Sequence, residues 1–100
     1  MKASSTSEID AFCDALWLED GLSRNTLDSY RRDLRQFADW LKAQGGPELM
    51  VADQAATQAY LAHKFRTKPR AASAARLLSS LKRFYRHALR QNMIKNDPTL

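Results

Sequence analysis

Leu27, Tyr30, Leu34, Phe37 and Leu41 recur at i, i+3, i+7, i+10 and i+14. A helix gathers that series onto one apolar stripe, and no other regular structure does. The same period reappears in Ile9, Phe12, Cys13, Leu16 and Trp17, and in Leu77, Leu78, Leu81, Phe84, Tyr85, Ala88 and Leu89. With only three Gly and three Pro in 100 residues, little turn chemistry is left for an all-β design. The chain is therefore expected to be all-α.

Punctuation between the stripes divides the chain into four helices, expected near residues 7–19, 23–44, 53–66 and 71–91. Ser5-x-x-Glu8 offers a capping box for the first helix, and Gly21 breaks it. Ser23 caps the second, which ends at Gly45-Gly46-Pro47. Asp53 caps the third, carrying Ala59, Leu61, Ala62 and Phe65 and giving way near Thr67-Lys68-Pro69. The fourth starts between Arg70 and Ser73, and Asn96-Asp97-Pro98 stops any continuation. No heptad is sustained, so short joints imply a compact orthogonal bundle of four main helices rather than a coiled coil. Phe12, Leu16, Leu27, Tyr30, Leu34, Phe37, Leu61, Phe65, Leu78, Leu81 and Phe84 are expected to form its core.

One hundred residues with 44% hydrophobic content suit a single domain with one core and little room for an elaborate pocket. No apolar run reaches the length of a membrane span, and Met1-Lys2-Ala3-Ser4-Ser5 leads into no signal-peptide core. Cys13 is the single cysteine, which fits a reducing cytoplasm. It lies on an apolar helix face and reads as packing rather than as a nucleophile. His63 and His87 have no cysteine or carboxylate partners at ligand spacing, so neither a metal nor another cofactor is expected.

Charge is segregated along the chain. The first fifty residues carry six bases and nine acids, whereas the last fifty carry ten bases and two acids. No acidic residue lies between Asp53 and Asp97. A basic half on a small chain is the footprint of a polyanion-binding face. Opposite the apolar stripes, the second helix is expected to present Asn25, Ser29, Arg32 and Gln36, and the fourth Ser73, Arg76, Ser80, Arg83 and His87. Small residues let a helix approach DNA, while Arg reaches phosphate or guanine and Asn can read adenine. Ser23, Thr26 and Ser73 fall in N-terminal turns, where free amides favour phosphate. Arg31, Arg32 and Arg35 stand near Asp28, Asp33 and Asp39, so part of this charge is expected to go into surface ion pairs. Tyr30, Trp40, Phe84 and Tyr85 are in core register.

The run from Ala15 through Trp17-Leu18-Glu19 to Asn25-Thr26-Leu27-Asp28-Ser29-Tyr30-Arg31-Arg32-Asp33-Leu34 resembles the N-terminal core-binding domain of tyrosine site-specific recombinases. Ser73-Ala74-Ala75-Arg76-Leu77-Leu78-Ser79-Ser80-Leu81-Lys82-Arg83-Phe84-Tyr85 resembles the fourth helix of the same domain, and Asn96-Asp97-Pro98-Thr99 the start of its linker to a catalytic domain. The resemblance implies a SAM-like four-helix domain over residues 1–95, with 96–100 opening the linker. It implies one half of a clamp on duplex DNA, with the second and fourth helices at the major groove. The matching DNA-binding positions are Ser23, Asn25, Thr26, Ser29 and Arg32, then Ser73, Arg76, Ser80 and Arg83. Relatives often carry further Ser or Thr where this chain has Ala71, Ala72 and Ala74, which implies fewer hydroxyl contacts to phosphate. Family chemistry uses a tyrosine nucleophile with Arg and His around the scissile phosphate. None of Tyr30, Tyr60 or Tyr85 sits in a matching motif, so this part of the chain is expected to bind rather than catalyse. The implied setting is chromosome dimer resolution, with a related recombinase as partner in a tetrameric synaptic complex. Two alternatives stay open: the corresponding domain of a phage or integron integrase, or a helical module whose basic face binds an acidic protein.

Overall fold

Several helix boundaries coincide with local devices that the sequence encodes. The computed structural model describes residues 4–67 and 70–100. Helix α1 spans Ser4–Glu19, α2 Arg24–Ala43, α3 Gln54–Thr67 and α4 Ala71–Arg90, with one 3₁₀ turn at Leu49–Val51. There is no strand among the described residues. Ser5 falls within the first turn of α1, and its side chain, with the expected capping bond, lies outside the described residues, as do Lys68 and Pro69. Ser23 caps α2 by accepting from the Thr26 amide at 3.2 Å. Asp53 caps α3 through the Ala56 amide at 2.8 Å.

Two helices end in the same way. Past α2, the Gly46 amide donates to Leu41 O at 2.8 Å and the Gly45 amide to Lys42 O at 3.0 Å. This is the paired bonding of a Schellman motif, with Gly45 at φ +70°. Past α4, the Met93 amide reaches Ala88 O at 2.9 Å and the Asn92 amide Leu89 O at 3.1 Å, with Asn92 at φ +60°. Helix α4 is thus closed at Asn92, in agreement with the expected end near 91, and Asn96-Asp97-Pro98 lies beyond it.

The core gathers Ile9, Phe12, Cys13 and Leu16 from α1 and the whole α2 stripe. Tyr60 joins it from α3, and Leu77, Leu81, Phe84, Tyr85 and Ala88 from α4. Phe12 meets Phe84 edge-on at 5.4 Å, and Phe37 stacks on Tyr60 at 4.7 Å. Leu49, in the loop before α3, is fully buried and its carbonyl accepts from the Tyr85 hydroxyl at 2.7 Å.

Several expected core residues lie outside it. Phe65 is 55% exposed and Leu78 38%, and Leu61 is only partly buried; Trp17, named in the apolar series of α1 but not in the expected core, is 52% exposed. Helix α3 packs through Thr57 and Tyr60, not through the Ala59, Ala62 and Phe65 series. Phe65 stands five residues past Tyr60, about 140° round the helix, and so faces away. Leu78 lies about 76° from the centre of the Leu77, Leu81, Phe84, Tyr85 and Ala88 arc, at its rim.

Candidate nucleic-acid interface

Helices α2 and α4 lie side by side with opposite courses. Arg76, early in α4, meets Asp33 in the middle of α2, and Arg83, one turn-pair later, meets Asp20 just before α2 starts. Residues far apart in the chain therefore line one seam.

On α2 the outward stripe stands where periodicity places it. Asn25 and Arg32 are exposed and Ser29 half-buried. Thr26 is half-buried, its hydroxyl accepting from Ser23 at 3.0 Å, so both hydroxyls belong to the cap.

On α4 the expected stripe is not opposite the core. Ser73, Arg76, Ser80, Arg83 and His87 lie between about 65° and 145° from the centre of the apolar arc, on the flank that turns toward α1 and α2. Side-chain length then decides each residue's fate. Ser80 is fully buried, and its hydroxyl donates to Leu77 O at 2.7 Å, which removes it from any DNA-facing surface. His87 is also buried, its ring 5.6 Å from that of Phe12. Burial lowers its pKa, with the charge on Arg90 adding to the effect. Arg76 and Arg83 are long enough to leave the flank, but both meet carboxylates. Arg76 Nε and Nη2 hold the two Asp33 oxygens at 3.0 and 2.9 Å, and Arg83 Nη1 lies 3.3 Å from Asp20. The Asp33 side chain is only 6% exposed, against 41% for Arg76. Hydrogen bonding to Asp33 raises the pKa of Arg76 further.

Asp33, not its nominal neighbours, thus takes the charge of Arg76. Ion pairs were expected within α2, but those among the described residues join different elements: Arg31 with Asp10, Arg76 with Asp33, Arg83 with Asp20. The solvent arc of α4 instead carries Ser79, Lys82, Arg86 and Arg90, all exposed. Sequence reading missed them as interface candidates, although measuring each angle from the centre of the apolar arc finds them.

A cleft of about 230 Å³ opens between α2, α3 and α4. Arg32, Ser73 and Arg76 line it together with Gln36, Lys64 and Phe65. Ser23, Asn25 and Arg83 lie outside its lining, toward the other end of α2. Arg70, at the N-cap of α4, makes no side-chain cap bond. Hydroxyls elsewhere are committed to packing. Burial pushes the Tyr60 phenol up to about 12 and raises that of Tyr85, while the buried Cys13 thiol is pushed up to about 11. Among the described residues, no three His, Cys, Asp or Glu side chains gather into a metal-binding group, and no helix is long and apolar enough to cross a membrane.

An all-α domain whose second and fourth helices are tied by arginine–aspartate pairs matches a known class. Residues 9–92 fit the phage integrase N-terminal SAM-like domain, and the chain belongs to that family. Individual relatives include proteins named tyrosine recombinase XerD. Those of Ralstonia nicotianae, Shewanella oneidensis and Pseudomonas aeruginosa are 46%, 49% and 47% identical over 96%, 90% and 92% of this chain. The matched segment is 30% of each relative, so the chain spans under a third of their length.

Proposed function

We propose that this chain is the DNA-binding domain of a XerD-like tyrosine recombinase, closing one half of a clamp on duplex recombination-site DNA. Helices α2 and α4 approach the major groove. Asn25, Ser29 and Arg32 offer the outward contacts of α2. Ser23 and Thr26 mark its amide-rich N-terminal turn, and Ser73, Arg76 and Arg83 line the seam. Residues 96–100 open the linker toward a catalytic domain, which supplies the tyrosine nucleophile and its Arg and His partners. The full-length protein acts in the cytoplasm in site-specific recombination and chromosome dimer resolution, with a XerC-like partner in a tetrameric synaptic complex.

The observation that carries this reading is the convergence of Arg32, Ser73 and Arg76, from two distant segments, on one cleft in a chain of the integrase family. Phosphate contacts dominate such binding, so affinity falls steeply with salt. Fluorescence anisotropy with a recombination-core duplex, a scrambled duplex and polyglutamate as competitor tests it. Weak, salt-sensitive duplex binding with a preference for the core sequence is expected. Salt-indifferent binding, or competition by polyglutamate as effective as by duplex, would sink it in favour of an acidic protein partner.

A further inference from the structure

Helix α3 has no part in the reading above, yet it forms one wall of the cleft. Leu61, Ala74 and Leu77 lie among the lining, and Arg32, Asp33, Gln36, Lys64, Ser73 and Arg76 supply its polar groups from three helices. The charges are not equivalent. Arg76 is held by both oxygens of Asp33, so that pair adds little net charge. Lys64 Nζ donates instead to the neutral Gln36 Oε1 at 3.2 Å and stands 6.0 Å from the centre of the Tyr60 ring. Its ammonium is thereby positioned without being neutralised. An ammonium has three donors, and Gln36 engages one. Arg32 and Lys64 are left as the net positive charges of the cleft, on α2 and α3 respectively.

We propose that the cleft seats a backbone phosphate of the bound duplex, with Lys64 as a phosphate-binding residue and Gln36 as the residue that positions it. This rests on the DNA-binding reading above and extends it from two helices to three. A contact of this kind holds the duplex in register against α2 and α4 and reads no base. A DNA phosphate suits the site better than a peptide carboxylate because the cleft continues into the outward stripe of α2 through Arg32 and Gln36.

The test is a salt titration of duplex binding by the 100-residue chain and its Lys64→Ala, Lys64→Arg and Arg32→Ala variants, on core and scrambled duplexes. One lost phosphate contact shrinks the log–log salt slope by about 0.9, so the loss of affinity between about 50 and 200 mM salt becomes roughly 3.5-fold smaller. Lys64→Ala should show that change equally on both duplexes, and Lys64→Arg should restore the wild-type slope. Lys64→Gln, which keeps the stem beside Tyr60, replaces Lys64→Ala if the latter melts early. An unchanged slope in Lys64→Ala beside a weakened Arg32→Ala overturns the cleft proposal and leaves the DNA reading standing. No duplex binding by the wild type overturns both. Loss of core-over-scrambled preference in Lys64→Ala would make Lys64 a base reader and refute the phosphate assignment. Loss of polyglutamate binding with duplex binding intact would give the cleft to an acidic peptide.

Discussion

Removing Arg76 should destabilise the domain before it says anything about DNA. Its two bonds to Asp33 tie α4 to α2, and Asp33 has almost no access to water. Truncating Arg76 to Ala leaves a carboxylate buried in the seam without its cation. Stranding a fully buried charge costs about 3–5 kcal/mol, whereas an exposed pair contributes about 0.2–1 kcal/mol. Arg76 is 41% exposed, so water screens its side of the pair and the expectation falls between, at about 1–3 kcal/mol. For a chain of this size each kcal/mol lowers Tm by about 4–8 °C. Urea unfolding of Arg76→Ala, Asp33→Asn and the double variant closes a double-mutant cycle, in which a coupling of about 1 kcal/mol or more is expected. Asp33→Leu with Arg76→Leu should recover much of the loss, because an apolar pair leaves no charge stranded. Asp33→Asn also frees the charge of Arg76, so its DNA-binding salt slope should steepen, by up to about 0.9. If both single variants unfold within about 0.5 kcal/mol of wild type and show no coupling, Arg76 is unclamped and the seam is not a structural tie.

Leu34→Ala, at a fully buried position in the centre of α2, should cost about 2–5 kcal/mol in urea unfolding, and a change within error would mean that the α2 register is wrong. Tyr85→Phe leaves the Leu49 carbonyl without its 2.7 Å donor and should cost about 1–3 kcal/mol by the same measurement, with the fold retained by circular dichroism. Burial lowers the pKa of His87 below its ordinary 6.5, so the unfolded chain binds the proton more readily. Its contribution to stability is therefore complete above 6.5 and is lost as pH falls through 6.5 toward the folded value. A His87→Asn variant should show a flatter melting profile in that window, and an identical profile would refute the assignment.

Element type and order were legible in the sequence because local rules set them. The 3.6-residue apolar period decides helix over strand, Ser23 and Asp53 supply their caps through their own side chains, and Gly45 supplies a left-handed residue without penalty. The outward stripe of α2 was legible for the same reason, since one strong apolar arc defines its opposite. Helix α3 offered no comparable arc. Ala59, Leu61, Ala62 and Phe65 suggested one face, but Phe37 and Trp40 select Tyr60, and Phe65 is turned out. What only the tertiary structure decided are pairings between residues distant in the chain. Sequence proximity offered Asp28 and Asp33 to the arginines of α2, but the crossing of α4 over α2 gives Asp33 to Arg76 and buries Ser80 beside it. The cleft has the same origin: Arg32, Lys64 and Ser73 share no local pattern, and only the packing of three helices makes them neighbours. Periodicity fixes the angle of a side chain about its own helix axis, whereas burial and charge pairing depend on which helix arrives at that angle.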